Sequence, residues 1–388
     1  MRMQIEKMKQ QARQAMQIVK DAAQDVSLTY FCQLWTNYWE CIPVSELPFV
    51  LVTDTDIPEL YIRACGAIPI YLFGGSYYEN PLTDQLFPQI CDPVTRSITG
   101  MLLSGKLPML HNIAAYAMVI RNIDERKVLP YLEETGYQVL TLEQDTFLSE
   151  KMPSSYRDAQ MRFLLQLESV TGIQITSRRL YHEAEWITNA HYALRKLDMT
   201  DYPQIIKGFI KQSYYIANNR EEWLREVDTL TSGKEWAMGS EKYPVFLMGS
   251  PIYFPNVKIP ALLKEVGLTH YWNQCGVPYP VNYTAVLQNK VTNLPELLDQ
   301  LHQIHYDTLR GNAACTIYPR PVRNASGIIY HLLKGQLNNA YEADMIEEDA
   351  IRQGIPFLCV ETDYSDADRE QVKVRLEGFA ELLDRKSS

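Results

Sequence analysis

One stretch near the end of the chain, GIPFLCVETDYS at residues 354–365, decides the fold class. Its apolar run from Ile355 to Val360, entered through Gly-Ile-Pro, is typical of a strand that is covered on both faces in a parallel sheet. Glu361 and Asp363 then fall at the carboxyl end of that strand. Because open parallel sheets bind ligands outside the carboxyl ends of their strands, Glu361 is a candidate for the wall of a binding site.

The residues after this strand favour a helix. Apolar side chains recur there at helical spacing, at Val372, Leu376, Phe379 and Leu383. Ser365 or Asp366 is suited to cap the helix, and a cap is the commoner role for such residues at a helix start.

Two other regions carry the same strand pattern. Residues 48–53 (PFVLVT) lead through a short helix to residues 67–73 (AIPIYLF), which makes a β-α-β unit, and residues 244–251 (PVFLMGSP) begin a second unit. Between the two units, residues 154–234 have apolar side chains at helical spacing. The sequence therefore predicts an α/β protein with two flavodoxin- or Rossmann-like parallel-sheet domains and a helical connecting segment.

The predicted boundaries are an N-terminal helix at 1–26, a first α/β domain at 27–150, a helical segment at 151–235 and a second α/β domain at 236–388. The carboxyl ends of the strands are expected to face a common cleft. Those ends are predicted near Val52, Phe73, Ile120, Met248, Tyr330 and Val360.

Composition narrows the class of protein. The 388 residues exceed a single core of typical size, and the net charge of −10 argues against nucleic-acid binding, which needs a basic patch. No stretch approaches the roughly 20 apolar residues of a membrane span, and the start lacks a signal-peptide core, so we expect a cytoplasmic protein without a membrane partner. The seven cysteines include no C-x-x-C pair, which predicts reduced thiols and no self-contained zinc site.

Gly74 and Gly75 follow the second predicted strand. Backbone N–H groups at such a position can bind an anion such as a phosphate group. A plain turn is the more frequent structure, because this pair lacks the full spacing of a phosphate-binding loop.

Three segments resemble one known family. They are PELYIRACGAIPIYLFGG at residues 58–75, SGIIYHLLKGQ at 326–336 and GIPFLCVETDYSDADREQVKVRLEGFAELL at 354–383. They resemble the subunits of 2-hydroxyacyl-CoA dehydratases and benzoyl-CoA reductases, a family that includes the double-cubane cluster proteins. The resemblance extends from about residue 48 to residue 383.

The resemblance implies a [4Fe–4S] cluster between two α/β domains, held by this chain or only by a partner subunit. It also implies an acyl-CoA substrate, a heterodimer with a paralogous family subunit, and low-potential electrons from a separate ATP-dependent iron–sulfur activator. In this interpretation Gln336, Glu361 and the backbone amides of Gly74 and Gly75 surround the thioester.

The cluster-ligand positions that the resemblance implies are largely altered. Cys91 falls at the first of the family's three cysteine positions, whereas Ile123 and Gln336 occupy the other two. Cys315 is a candidate for a second remaining ligand, and both cysteines are equally compatible with structural thiols. Isoleucine cannot coordinate iron and glutamine is a poor iron ligand, so a family-type cluster on this chain is in doubt.

Three functional hypotheses follow. The chain is a subunit of a radical-type acyl-CoA dehydratase or reductase, with Gln336 and Glu361 as catalytic candidates. Alternatively, it is a cluster-less structural or regulatory paralogue that pairs with a cluster-bearing subunit. A third hypothesis is a flavodoxin-like module that binds a small anionic ligand.

Overall fold

The computed structural model describes residues 2–23, 26–40, 47–76, 81–87, 92–103, 112–121, 123–134, 136, 138–145, 149–233, 245–269, 271–315 and 326–387. Its strands are β1 (Phe49–Val52), β2 (Ile68–Tyr71), β3 (Ile113–Ile120), β4 (Gln138–Glu143), β5 (Val245–Gly249), β6 (Tyr271–Asn273), β7 (Gly327–Leu333) and β8 (Phe357–Thr362).

Helices surround these strands. They are α1 (Arg2–Ala23), α2 (Thr29–Glu40), α3 (Glu59–Ala64), α4 (Pro81–Leu86), α5 (Pro93–Leu103), α6 (Ile123–Glu133), α7 (Ser154–Thr171), α8 (Ser177–Asp198), α9 (Gln204–Ser213), α10 (Arg220–Thr231), α11 (Lys258–Glu265), α12 (Thr284–Asn289), α13 (Leu294–Cys315), α14 (Leu337–Gln353) and α15 (Arg369–Ser387). Within the described ranges, none of them is long and apolar enough to cross a membrane.

The strands form two sheets with the same topology. The first has the order β2-β1-β3-β4 and the second β6-β5-β7-β8, and every neighbouring pair is parallel. The predicted α/β class with two parallel sheets is therefore confirmed. In each sheet the strand order reverses between the two central strands, which is the switch point where parallel sheets bind ligands.

Strand β8 differs from its prediction in burial and in length. It is an edge strand, so Phe357 to Cys359 are only partly buried instead of being covered on both faces. Its pairing with β7 continues to Thr362, opposite Leu333. Glu361 therefore lies within the strand, exposed to solvent, and not in a loop beyond its end.

The start of α15 also differs from its prediction. The helix begins at Arg369, so neither Ser365 nor Asp366 immediately precedes its first residue. The loop before it folds around the Lys258 ammonium group, which donates hydrogen bonds to the carbonyls of Asp363 (2.8 Å) and Ser365 (2.5 Å) and to Asp368 Oδ1 (2.7 Å). The polar residues of this loop thus join α15 to α11.

The largest core combines the first sheet with helices from several parts of the chain. It includes Ala12 and Val19 of α1, and it extends through the first sheet to α7, α8, α9 and α10. Leu297 and Leu301 of α13 are also buried in it, although α13 lies between β6 and β7 in sequence. The second sheet has smaller apolar clusters on its two faces. The sequence-based domain boundaries stay a prediction.

Candidate functional site

A cavity of about 540 Å³ lies where the switch points of the two sheets face each other. The first sheet contributes Thr53 and Asp54 after β1 and Arg121 after β3. The second contributes Pro251 and Tyr253 after β5 and residues 335–339 after β7, and α5 closes one side. The carboxyl ends of the four central strands thus meet at one cleft, whereas the ends of β2 and β8 do not line it among the described residues.

Gln336 bridges the two halves of this cleft. Its Nε2 donates a 2.5 Å hydrogen bond to Asp92 Oδ1, and its Oε1 accepts a 3.0 Å hydrogen bond from Asn339 Nδ2. Asp92 Oδ2 in turn accepts from the backbone N–H of Thr95 (2.7 Å) and from its hydroxyl (2.8 Å). We call Gln336, Asp92 and Asn339 the clasp. It connects the start of α5 to the start of α14.

Local geometry explains how Gln336 reaches the cleft. Gly335, the second residue after β7, has a φ of 98°, a left-handed conformation that favours glycine. This turn ends the strand and places Gln336 just before α14. Ser250 supports the turn from β5, because its Oγ accepts from the Leu333 N–H at 2.8 Å.

Arg121 organises the opposite wall of the cavity. Its guanidinium pairs with Asp54 Oδ2 at 2.8 Å and with Asp56 Oδ2 at 2.5 Å, and its backbone N–H donates to Glu125 Oε2 at 2.5 Å. Burial opposes the charge on Arg121, but Asp54 and Asp56 outweigh it and raise the pKa of Arg121. Burial, and then the nearby Asp54, raises the pKa of Asp56.

The charges around the cavity favour some ligands over others. Three carboxylates, those of Asp54, Asp92 and Glu125, line it together with one guanidinium, that of Arg121. This excess of carboxylates disfavours a phosphate group and favours an uncharged or hydrogen-bond-donating group. The cavity suits the neutral part of a ligand.

The structure brings only some of the predicted site residues together. Gln336 lines the cavity, but Glu361 does not, because β8 is an edge strand and Glu361 faces solvent. Gly74 and Gly75 are buried where other backbone segments approach them closely. A Cβ on Gly75 would overlap the Tyr253 carbonyl, and one on Gly74 would lie 2.6 Å from the Val94 carbonyl. Neither glycine is among the described residues that line the cavity.

The predicted cluster positions offer few ligands. Cys91 lies outside the described residues, and so does the side chain of Cys315, the last residue of α13. Ile123 begins α6 and is 71% exposed, while the Gln336 amide is hydrogen-bonded at both its nitrogen and its oxygen. No group of three or more His, Cys, Asp or Glu side chains suited to a metal ion occurs in the described part of the chain. The described residues therefore do not fit a cubane.

The sequence-based reasoning did not identify Arg121 and its acidic partners. A signal for them was present, because Asp54 and Asp56 directly follow the first predicted strand and Arg121 follows the third. Residues directly after neighbouring parallel strands meet at the same edge of the sheet.

Comparison with known proteins identifies the family. The model of "2-hydroxyglutaryl-CoA dehydratase, D-component" matches residues 54–383. One relative is the (R)-phenyllactyl-CoA dehydratase beta subunit of Clostridium sporogenes, which is 21% identical over 348 residues, or 84% of this chain and 89% of that protein. The family match covers all four strands of the second sheet and three strands of the first, because β1 lies before residue 54. The chain belongs to the 2-hydroxyglutaryl-CoA dehydratase D-component family.

Proposed function

We propose that this chain is a subunit of a 2-hydroxyacyl-CoA dehydratase that holds no cubane of its own and works with a paralogous subunit that does. The family match and a relative whose name is that of a dehydratase beta subunit support the reaction class and the partner. In this proposal an ATP-dependent iron–sulfur activator supplies electrons to the partner, and this chain contributes its cleft to the assembled enzyme.

One observation carries the proposal: the clasp occupies a position where the family resemblance implies a cluster ligand. Both ends of the Gln336 amide already have hydrogen-bond partners, so this side chain stabilises the contact between the two halves of the cleft. Its nitrogen bonds a carboxylate, and hydrogen bonds of that kind are roughly twice as strong as neutral ones.

Within the cleft, side chains of this chain bind and orient the acyl-CoA substrate. The Arg121 guanidinium lies beside the cavity with its charge compensated, so it can polarise a carbonyl oxygen without attracting a phosphate. Asn338 also lines the cavity, and its amide has no hydrogen-bond partner among the described residues. We assign these two side chains to the neutral thioester end of an acyl-CoA.

Iron analysis under anaerobic conditions tests the proposal. The chain is purified alone and together with the paralogous subunit, and iron content and visible absorption are measured for both samples. We expect less than one iron per isolated chain and about four per assembled pair, as one [4Fe–4S] cluster requires. A cubane in the isolated chain that is lost in Cys91→Ser would refute the proposal.

Turnover separates a catalytic subunit from a regulatory paralogue. In the assembled enzyme we expect Arg121→Lys to lower kcat for an acyl-CoA substrate, because lysine cannot reproduce the paired geometry of a guanidinium. Full dehydratase activity of the paralogous subunit in the absence of this chain would favour the regulatory alternative.

A further inference from the structure

A second cavity, of about 430 Å³, lies on the other side of Arg121 from the cleft. Helix α7 begins beside it, with Pro153, Ser155 and Tyr156 in its lining. Its other lining residues include Arg126, Arg162, Glu143, Gln144, Asp145 and Tyr306. We propose that this second cavity binds the phosphate of a phosphorylated small molecule, either the nucleotide end of a CoA thioester or a free nucleotide.

The start of α7 is suited to an anion. The helix is 18 residues long, its N-cap residue Pro153 makes no side-chain capping bond, and its first turn carries no acidic residue. The first N–H groups of such a helix have no partner within it, and its dipole favours negative charge there. The Ser155 hydroxyl adds a donor at the same end.

Arg162 supplies a cation that is not committed elsewhere. Arg121 already pairs with Asp54 and Asp56, and Arg126 pairs with Glu143 at 3.1 Å. Arg162, in contrast, makes no hydrogen bond or ion pair with any residue that the structure describes. Three guanidinium groups and two carboxylates line this cavity, so positive charges outnumber negative ones. In the cleft, by contrast, three carboxylates face one guanidinium group.

Unpartnered buried polar groups at the same place independently indicate a ligand. Tyr156 lines the cavity and is 5% exposed, yet its hydroxyl has no hydrogen-bond partner in the described part of the chain. The Gln144 side chain also lines the cavity, and its buried Oε1 likewise has no partner among the described residues. Native proteins rarely leave buried polar atoms unpaired, and a polar ligand offsets that cost.

Binding to the purified full-length chain tests the proposal. Isothermal titration calorimetry is performed with CoA, adenosine 3′,5′-bisphosphate, ATP and inorganic phosphate. We expect Arg162→Gln to weaken binding of the organic phosphates about tenfold, as loss of a charge-assisted hydrogen bond predicts. Arg157→Gln is the matched control, because it removes the same charge from the same helix at a residue that does not line the cavity. Tyr156→Phe should weaken binding without lowering the midpoint of thermal unfolding.

The relative affinities of these ligands identify the source of the phosphate, and two other results would refute the site. Tighter binding of CoA and adenosine 3′,5′-bisphosphate than of ATP supports the site and assigns it to CoA. Equal binding of all three nucleotides supports the site and assigns it to the shared phosphate. The absence of binding at millimolar concentration, or equal effects of Arg162→Gln and Arg157→Gln, overturns the site. Only the choice of CoA as a ligand rests on the proposed function, and this assay needs neither iron nor the partner subunit.

Discussion

At the scale of single residues, Gln336 has hydrogen-bond partners that the sequence did not predict. The sequence predicts an amide that awaits a ligand in the cleft. Gln336 lines the cavity of the cleft, but its amide is already bonded to Asp92 and Asn339. A side chain in this state contributes to stability as well as to the site. The sequence could not reveal this, because Asp92 and Gln336 are 244 residues apart.

The first prediction concerns the clasp. Gln336→Ala is expected to lower the free energy of unfolding by about 1–3 kcal/mol, because it removes a hydrogen bond to a carboxylate. Asn338→Ala is the matched control, since Asn338 lines the same cavity without a partner among the described residues, and its effect should stay within about 0.5 kcal/mol. Urea unfolding monitored by fluorescence measures both, and equal stability of the two variants would contradict the clasp.

The second prediction concerns His331, which is fully buried on β7. Its Nδ1–H donates to the Ser250 carbonyl at 2.9 Å, and its Nε2 has no partner in the described structure. Burial lowers its pKa to about 4, against the opposing effect of the Ser250 hydrogen bond. The folded protein therefore resists protonation of this ring, while the unfolded chain takes up the proton near pH 6.5.

The depressed pKa of His331 makes the stability of the protein depend on pH. The stabilisation from neutral His331 is complete above about pH 6.5 and is lost as the pH falls toward 4. Between pH 6 and pH 5 we expect a loss of about 1 kcal/mol from this residue. His331→Asn keeps a donor for Ser250 but does not titrate, so its unfolding free energy should depend less on pH than that of the wild type. An unchanged slope would show that His331 does not titrate in this range.

At the scale of elements, continuous apolar runs were sufficient to locate the central strands. β1 and β5 coincide closely with their predicted segments. Edge strands are harder to recognise, because only one of their faces meets a core. In β4 only Leu140 and Leu142 are buried, and the sequence did not indicate this strand.

The third prediction concerns the connection between α11 and α15. The Lys258 side chain is 2% exposed and is held by two carbonyls and Asp368. Lys258→Met should destabilise the protein by about 3–5 kcal/mol, because it leaves these buried acceptors without their donor. Lys264→Met, on the same helix and without an ion pair among the described residues, should have little effect. Thermal unfolding compares the two variants, and a similar midpoint for both would exclude this role of Lys258.

At the scale of the whole molecule, the sequence predicted that strand ends from both sheets face one cleft, and four central strands confirm this. Glu361 does not reach the cleft, because β8 is an edge strand that pairs with β7 as far as Thr362. The strand positions were sufficient to bring Arg121 and Asp54 to one edge of the first sheet, but the ion pairs that neutralise Arg121 depend on side-chain geometry that the sequence does not show.

The fourth prediction concerns a double variant that places cysteines at two of the altered ligand positions. If Ile123 and Gln336 stand where the family has cysteines, Ile123→Cys combined with Gln336→Cys should allow anaerobic reconstitution of about four irons per chain. The wild type and each single variant should remain below one iron. Visible absorption and iron analysis measure the outcome, and an iron-free double variant with native unfolding behaviour would contradict the assignment of these positions.

Helix α13 links the second sheet to the larger core of the molecule. After β6 the chain leaves the second sheet, buries Leu297 and Leu301 in the larger core, and returns as β7, the strand that pairs with both β5 and β8. Because α13 connects β6 to β7 while it packs on the larger core, the second sheet is joined through α13 to a core outside its own sequence. A fragment that starts at β5 would expose the apolar face of α13 and should be insoluble when synthesised alone.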